Sequence, residues 1–190
     1  KLFNSDNKLE ISNLVNESFQ LNLERRKLTE DMQKNALEMV EKDLSNIPNF
    51  IVLHNKNWHH GIIGLVASRV VDKYNRPTAI LGTDRHGNLR GSVRSPEGFN
   101  VFQALDLCSE FLDSYGGHKL AGGVTIHPSN YNILRKNLNE IASEYINSKN
   151  NKPSINPESC LDIRKIDEDY WLKLKRLGPF GVRNKNPIFW

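Results

Sequence analysis

The stretch Asn88-Leu89-Arg90-Gly91-Ser92-Val93-Arg94-Ser95 concentrates the side chains best suited to chemistry. Read as a strand over residues 89–94, it places Arg90, Ser92 and Arg94 on one face and Leu89, Gly91 and Val93 on the other. Two guanidiniums flanking a hydroxyl suit the holding of phosphates, and the reading puts them one phosphate repeat, about 6.6 Å, apart along the strand. The same pattern also suits a solvated edge strand that happens to carry two arginines. In Tyr115-Gly116-Gly117-His118, adjacent glycines are expected to make a turn whose N–H groups converge on an anion, with His118 able to donate to a phosphate oxygen. A glycine turn followed by a purely structural histidine fits equally well. Trp58-His59-His60-Gly61 opens a helical pattern, so free N–H groups and either His59 or His60 are possible anion contacts. Neighbouring histidines on a helix do not face each other, which makes them poor joint metal ligands and leaves capping or packing as the competing role. Asp72, Asp84, Asp106 and Asp113 are scattered. With no Asp-His-His motif or His-rich cluster, no metal ligands and no hydrolytic centre are expected within this sequence.

These residues need a scaffold, and hydrophobic periodicity outlines one. Residues 9–44 contain neither Gly nor Pro and set Leu14, Leu21 and Leu28, then Met32 and Met39, at intervals of seven, which predicts one long amphipathic helix. With seven basic and nine acidic residues up to position 48, that segment is a poor grip for a polyanion. Residues 50–53 and 78–81 read as buried strands flanking a helix over 61–74, followed by the return strand 89–94. Further on, helices are expected over 99–112 and 130–146, and a glycine-weakened strand over 118–126. The fold class is therefore α/β, a mixed sheet flanked by helices, preceded by a long connecting helix and ending in a short C-terminal extension. The expected divisions are the connecting helix 1–48, an α/β domain 49–147, a linker 148–160 rich in Asn, Ser, Lys and Pro, and the start of a further segment 161–190. That last segment is expected to open with a strand over 161–164 and a helix over 170–177. Its final part, from Lys173 on, holds five basic residues and no acidic one.

Composition narrows the function classes only modestly. The 190 residues carry 26 Lys and Arg against 22 Asp and Glu, an excess too small to identify a nucleic-acid binder without clustering. No apolar run approaches the roughly 20 residues of a membrane span, so no membrane partner is expected. Cys108 and Cys160 form no metal-binding or redox motif, and a reducing, cytoplasmic location is the expectation. The start at Lys1, already inside a helical pattern, reads as that of a piece of a longer protein.

Taken in order, the motifs resemble the C-terminal half of the RecJ exonuclease core, the DHH-associated domain of the DHH phosphoesterase superfamily. The pieces carrying the resemblance begin with Trp58-His59-His60-Gly61-Ile62-Ile63-Gly64, Ala67-Ser68-Arg69 and Arg76-Pro77. Gly91-Ser92-Val93-Arg94-Ser95 with Gly98, Gly116-Gly117-His118 with Ala121 and Gly123, and Pro179-Phe180-Gly181 with Asn184 and Pro187 complete the set. Three positions depart from the family pattern: Val93 where a small residue is usual, Gly122 in place of Ala, and Arg183 in place of Gly. The resemblance implies a substrate-binding half that contacts single-stranded DNA opposite a DHH domain, absent from this sequence, which holds manganese or magnesium. It further implies digestion from the 5′ end in DNA repair and recombination, with Ser92, Arg94, Ser95, Gly116, Gly117 and His118 contacting phosphate and Arg90 extending that contact. His118 is a possible transition-state contact. The competing readings are a DHH-family phosphodiesterase for oligonucleotides or cyclic dinucleotides, a tRNA-binding module related to the alanyl-tRNA synthetase C-terminal domain, and a purely structural domain.

Overall fold

The computed structural model describes residues 4–42, 46–147, 157–181 and 184–190. The chain divides into two compact units, Lys1–Asn151 and Lys152–Trp190. The expected linker lies across that division, and its residues 148–156 fall outside the described ones, as does Arg183.

The first unit begins with α1 (Lys8–Glu41), whose free N–H groups at Leu9 and Glu10 are capped by the Asn7 side chain. There follow β1 (Ile51–His54), α2 (Ile63–Tyr74), β2 (Thr78–Thr83), β3 (Leu89–Arg94), α3 (Val101–Asp106), β4 (Ser114–Gly117), β5 (Ala121–Ile126) and α4 (Tyr131–Asn147). The five strands form one mixed sheet in the order β1-β2-β3-β5-β4. β1 and β2 run parallel across the α2 crossover, and every other pairing is antiparallel.

Side-chain alternation divides the apolar residues between two cores. Val52, Ala79, Leu81, Leu89, Val93, Val124 and Ile126 bury against α3 and α4 through Val101, Leu105, Leu134 and Leu138. On the other face, Ile51, Leu53 and Ile80 bury under α2 through Ile63, Val66, Ala67 and Val70, with Met32, Ala36 and Val40 of α1 closing the layer. Val93, one of the departures from the family pattern, is fully buried in the first core and points away from Arg90 and Arg94. At Gly122, another departure, an added Cβ would come within 2.9 Å of Val101 Cγ1.

The helix layer is narrower than the sheet. α2 packs on β2 and β3, so on its face β5 and β4 remain uncovered among the described residues. This mismatch creates the site described below.

Several expectations are corrected. The seven-residue stripe of α1 matches its buried line only in part: Met32 is buried and Met39 packs against the core, but Leu21 and Leu28 are exposed, and the rest of the burial falls on Thr29, Ala36 and Val40. Twelve residues of α2 span about 18 Å and can cover only part of a helix of about 51 Å, so only the C-terminal portion of α1 finds a partner. The helix expected over 99–112 is confined to α3, because Asn100 caps it at Gln103 N–H, and a short 3₁₀ turn follows at Ser109–Phe111. The strand expected from 118 begins at Ala121 and pairs with β4, which the sequence reading missed.

In the second unit, the strand expected over 161–164 is replaced by a 3₁₀ turn, Ile163–Lys165, capped by the Asp162 side chain. Helix α5 (Glu168–Lys175) follows, capped by Asp167.

Candidate nucleic-acid interface

Strand β3 holds Arg90, Ser92 and Arg94 on the face left partly open by α2. Arg94 Nη1 donates to Ser92 Oγ at 2.6 Å and to the Val93 carbonyl at 2.8 Å, which bends the guanidinium back over its own strand. It can lie there because the first turn of α2 carries Gly64. A Cβ at that position would sit 2.9 Å from Arg94 Nη2 and 3.2 Å from Ser92 Oγ. None of the ion pairs among the described residues involves Arg90 or Arg94. A half-buried guanidinium without a carboxylate, with donors still uncommitted, is a seat for an anion.

Strand register extends the site across the sheet. Arg90 pairs with Thr125, which pairs with Ser114; Ser92 pairs with Gly123, which pairs with Gly116. A cleft of about 650 Å³ lies over these rows, walled by His60, Gly61, Ile63 and Gly64 and floored by Arg90, Ser92, Arg94, Ser114, Gly123 and Thr125. Arg90 and Arg94 are four residues apart, so about 13 Å separates them along the strand, two phosphate repeats rather than the one expected, with Ser92 midway.

The two histidines of the Trp58 motif part company. His60 lines the cleft, and its Nε2 lies 3.2 Å from the Thr83 carbonyl, which only accepts, so Nε2 carries the proton. His59 turns its Nδ1 to accept Gly61 N–H at 3.1 Å, a local bond in the turn that precedes α2 rather than a cap on it. Trp58 is buried, and its indole N–H donates to Asn35 Oδ1 on α1 at 3.2 Å, which ties this loop to the helix layer.

Gly116 and Gly117 are strand residues of β4, paired with Gly123 and Gly122, and do not form the converging turn expected of them. The glycines permit close pairing instead: Gly117 has φ of 148°, and a Cβ there would meet the Ala121 carbonyl at 2.3 Å. The hairpin turns after His118, whose N–H donates to the Ala121 carbonyl at 2.8 Å and whose side chain is exposed. Ser95 Oγ donates to the Phe99 carbonyl at 3.1 Å. The structure thus brings Arg90, Ser92, Arg94 and His60 into one cleft with Gly116 beside its floor, and leaves Ser95, Gly117 and His118 at one end of the β4–β5 hairpin. Thr125, Ser114, Gly123 and Gly64 were missed. Strand register brings in Thr125, Ser114 and Gly123, and the seating of α2 on the sheet brings in Gly64; composition reveals neither.

Near the cleft, burial lowers the pKa of His54 from its usual value, and its Nε2 lies 3.0 Å from Thr83 Oγ1. On the opposite face, burial pushes the Cys108 thiol up to about 11, so it is a packing group rather than a nucleophile. Among the described residues no three or more His, Cys, Asp or Glu side chains are grouped so as to hold a metal ion. These residues therefore do not fit a catalytic metal. No helix among the described residues is long and apolar enough to cross a membrane.

Residues 48–144 match the family model described as the DHHA1 domain. The chain is 35% identical over 187 residues to the single-stranded-DNA-specific exonuclease RecJ of Bacillus subtilis, a match covering 98% of this chain and 24% of that protein. With the Escherichia coli protein of the same description, identity is 26% over 191 residues, covering 97% and 33%. The chain thus spans about a quarter to a third of the length of these relatives. Among solved structures, RecJ from Thermus thermophilus in complex with Mg2+ superposes with a TM-score of 0.83 at 26% identity, covering 99% of this chain and 29% of that one.

Proposed function

Because the chain belongs to the DHHA1 domain family and is similar along its length to RecJ proteins, we propose that it is the substrate-binding part of a RecJ-like 5′–3′ exonuclease acting on single-stranded DNA. In this reading its cleft faces a DHH domain carrying manganese or magnesium, and the whole protein serves DNA repair and recombination in the cytoplasm. The observation that carries the proposal is the Arg94 guanidinium, half-buried, braced by Ser92 and Gly64, and without a carboxylate partner among the described residues.

The chemistry follows from charge and geometry. Arg94 and Ser92 hold one phosphate against the start of α2, and Arg90 with Thr125 and Ser114 holds the backbone further along. Such contacts read backbone charge and leave the bases unread, as a nuclease indifferent to sequence requires. His60, with Nε2 held by the Thr83 carbonyl, presents the rest of its ring to the cleft wall. His118, exposed at the hairpin tip, contacts phosphate from the Arg94 end. Hydrolysis needs an activated water and stabilised charge on the attacking and leaving oxygens; the DHH domain supplies both, so this chain by itself binds and does not cut.

The test compares binding of the purified chain to a single-stranded oligodeoxynucleotide, a cyclic dinucleotide and a tRNA, each across a range of salt concentrations. Strongest binding to the single strand, with no release of nucleotides from its 5′-labelled form in the presence of manganese, supports the proposal. Preference for the dinucleotide or the tRNA overturns it, as does steady cleavage that survives repurification.

A further inference from the structure

We propose that Ser95 is a positioning residue that braces the turn carrying His118 against the end of β3, and is not itself a ligand of phosphate. The inference rests on the reading of the cleft as a phosphate seat and assigns a different task to one residue beside it. A serine hydroxyl has one proton, and that of Ser95 is donated to the Phe99 carbonyl at 3.1 Å, with the Lys119 carbonyl at 3.5 Å as the alternative acceptor. What remains on the oxygen is lone pairs, which an anionic phosphate oxygen does not approach.

The backbone of the same segment completes the brace. Ser95 N–H donates to the Leu120 carbonyl at 3.1 Å, and Val101 N–H to the Lys119 carbonyl at 2.8 Å. Both carbonyls of the exposed tip, Lys119 and Leu120, are therefore gripped from the segment that leaves β3. That segment is itself seated in the core. The Phe99 ring packs edge-on against Phe50 and Tyr145, at centroid distances of 5.9 and 5.4 Å, and Tyr145 donates its hydroxyl to the Glu97 carbonyl at 2.8 Å. Ser95 follows Arg94 directly and Arg94 pairs with Ala121, so the brace fixes the separation between the guanidinium and the histidine at this end of the site.

The experiment compares Ser95→Ala and Ser95→Thr in the whole chain. It follows affinity for a 5′-phosphorylated oligothymidylate against salt, amide exchange at position 95 and Val101, and the NMR resonances of the His118 imidazole. Ser95→Ala is expected to weaken binding roughly fivefold, the worth of one neutral hydrogen bond, with the salt slope unchanged. Exchange at the two amides should accelerate and the His118 resonances should shift, and Ser95→Thr should restore all three. A neutral hydroxyl releases no counterion, so the slope stays the same whether or not it touches phosphate; weakened binding with unchanged exchange and unchanged His118 resonances identifies a direct phosphate contact and overturns the inference. If the unsubstituted chain binds no oligonucleotide at any salt concentration, the phosphate reading of the cleft fails, and the exchange and His118 readings alone uphold or overturn the brace.

Discussion

Replacing Gly64 with Ala should separate the anion seat from the fold. The new methyl would stand 2.9 Å from Arg94 Nη2 and 3.2 Å from Ser92 Oγ, and both neighbours are side-chain atoms rather than backbone. The guanidinium must swing away, and its bonds to Ser92 Oγ and the Val93 carbonyl go with it. Losing them costs about 1–2 kcal/mol in the free protein, while removing a glycine from the first turn of α2 returns up to roughly 1 kcal/mol. Net stability should change by no more than about 1 kcal/mol. Binding is different, because the displaced group is the charged one: a hydrogen bond to a charged partner is worth about 1.5–3 kcal/mol, or roughly 10- to 150-fold in affinity. The assay is a pair of measurements on one preparation, denaturant unfolding and fluorescence titration with a labelled oligodeoxynucleotide. Near-native stability with affinity down tenfold or more is expected. Full affinity in a folded Gly64→Ala protein would refute the placement of phosphate at Arg94.

Three further outcomes follow from the same geometry. Arg90→Ala should weaken single-strand binding about equally across base sequences and lower the salt slope by about 0.7; an altered base preference at constant slope, read from the same titrations, would contradict it. Gly91→Ala should damage the fold itself, since its Cβ would lie 2.1 Å from Leu81 Cδ2 and 2.6 Å from the Ile80 carbonyl; a loss of about 1–3 kcal/mol or more is expected in denaturant unfolding. His54 resists protonation because it is partly buried, so below its ordinary pKa of 6.5 the unfolded chain takes up a proton that the folded chain does not. Stability should therefore be flat above about pH 6.5 and fall below it, and His54→Gln should flatten that fall in melting curves recorded between pH 5 and 8.

What the sequence made legible was the part governed by local alternation. The face shared by Arg90, Ser92 and Arg94 follows from period two alone, and β3 spans the expected residues 89–94. The α2 crossover was likewise readable from its apolar spacing, and the five-stranded mixed sheet agrees with the α/β expectation. The floor of the cleft was not readable. Ser114-Tyr115-Gly116-Gly117 has the composition of a turn, and pairing with β5 makes it a strand against local preference. Gly64 and Arg94 are thirty residues apart, and their contact depends on how the crossover seats α2 on the sheet. Ser95 shows a further limit: a motif says that a hydroxyl is present, but its direction is set by the Phe99 carbonyl four residues on. The buried line of α1 was caught only at Met32 and Met39, because a long amphipathic helix offers several lines and only a packing partner selects one.

The central claim, that the open face beside α2 holds the backbone of a single strand, is tested most directly by titrating a ¹⁵N-labelled chain with a short 5′-phosphorylated oligothymidylate. The shifts should concentrate on the amides of Gly64, Ser92, Arg94, Gly123 and Thr125 and on the Arg94 Nε–H, and they should weaken together as salt is raised. Shifts that leave these residues untouched and gather instead on α4 or on the exposed part of α1 would contradict the account.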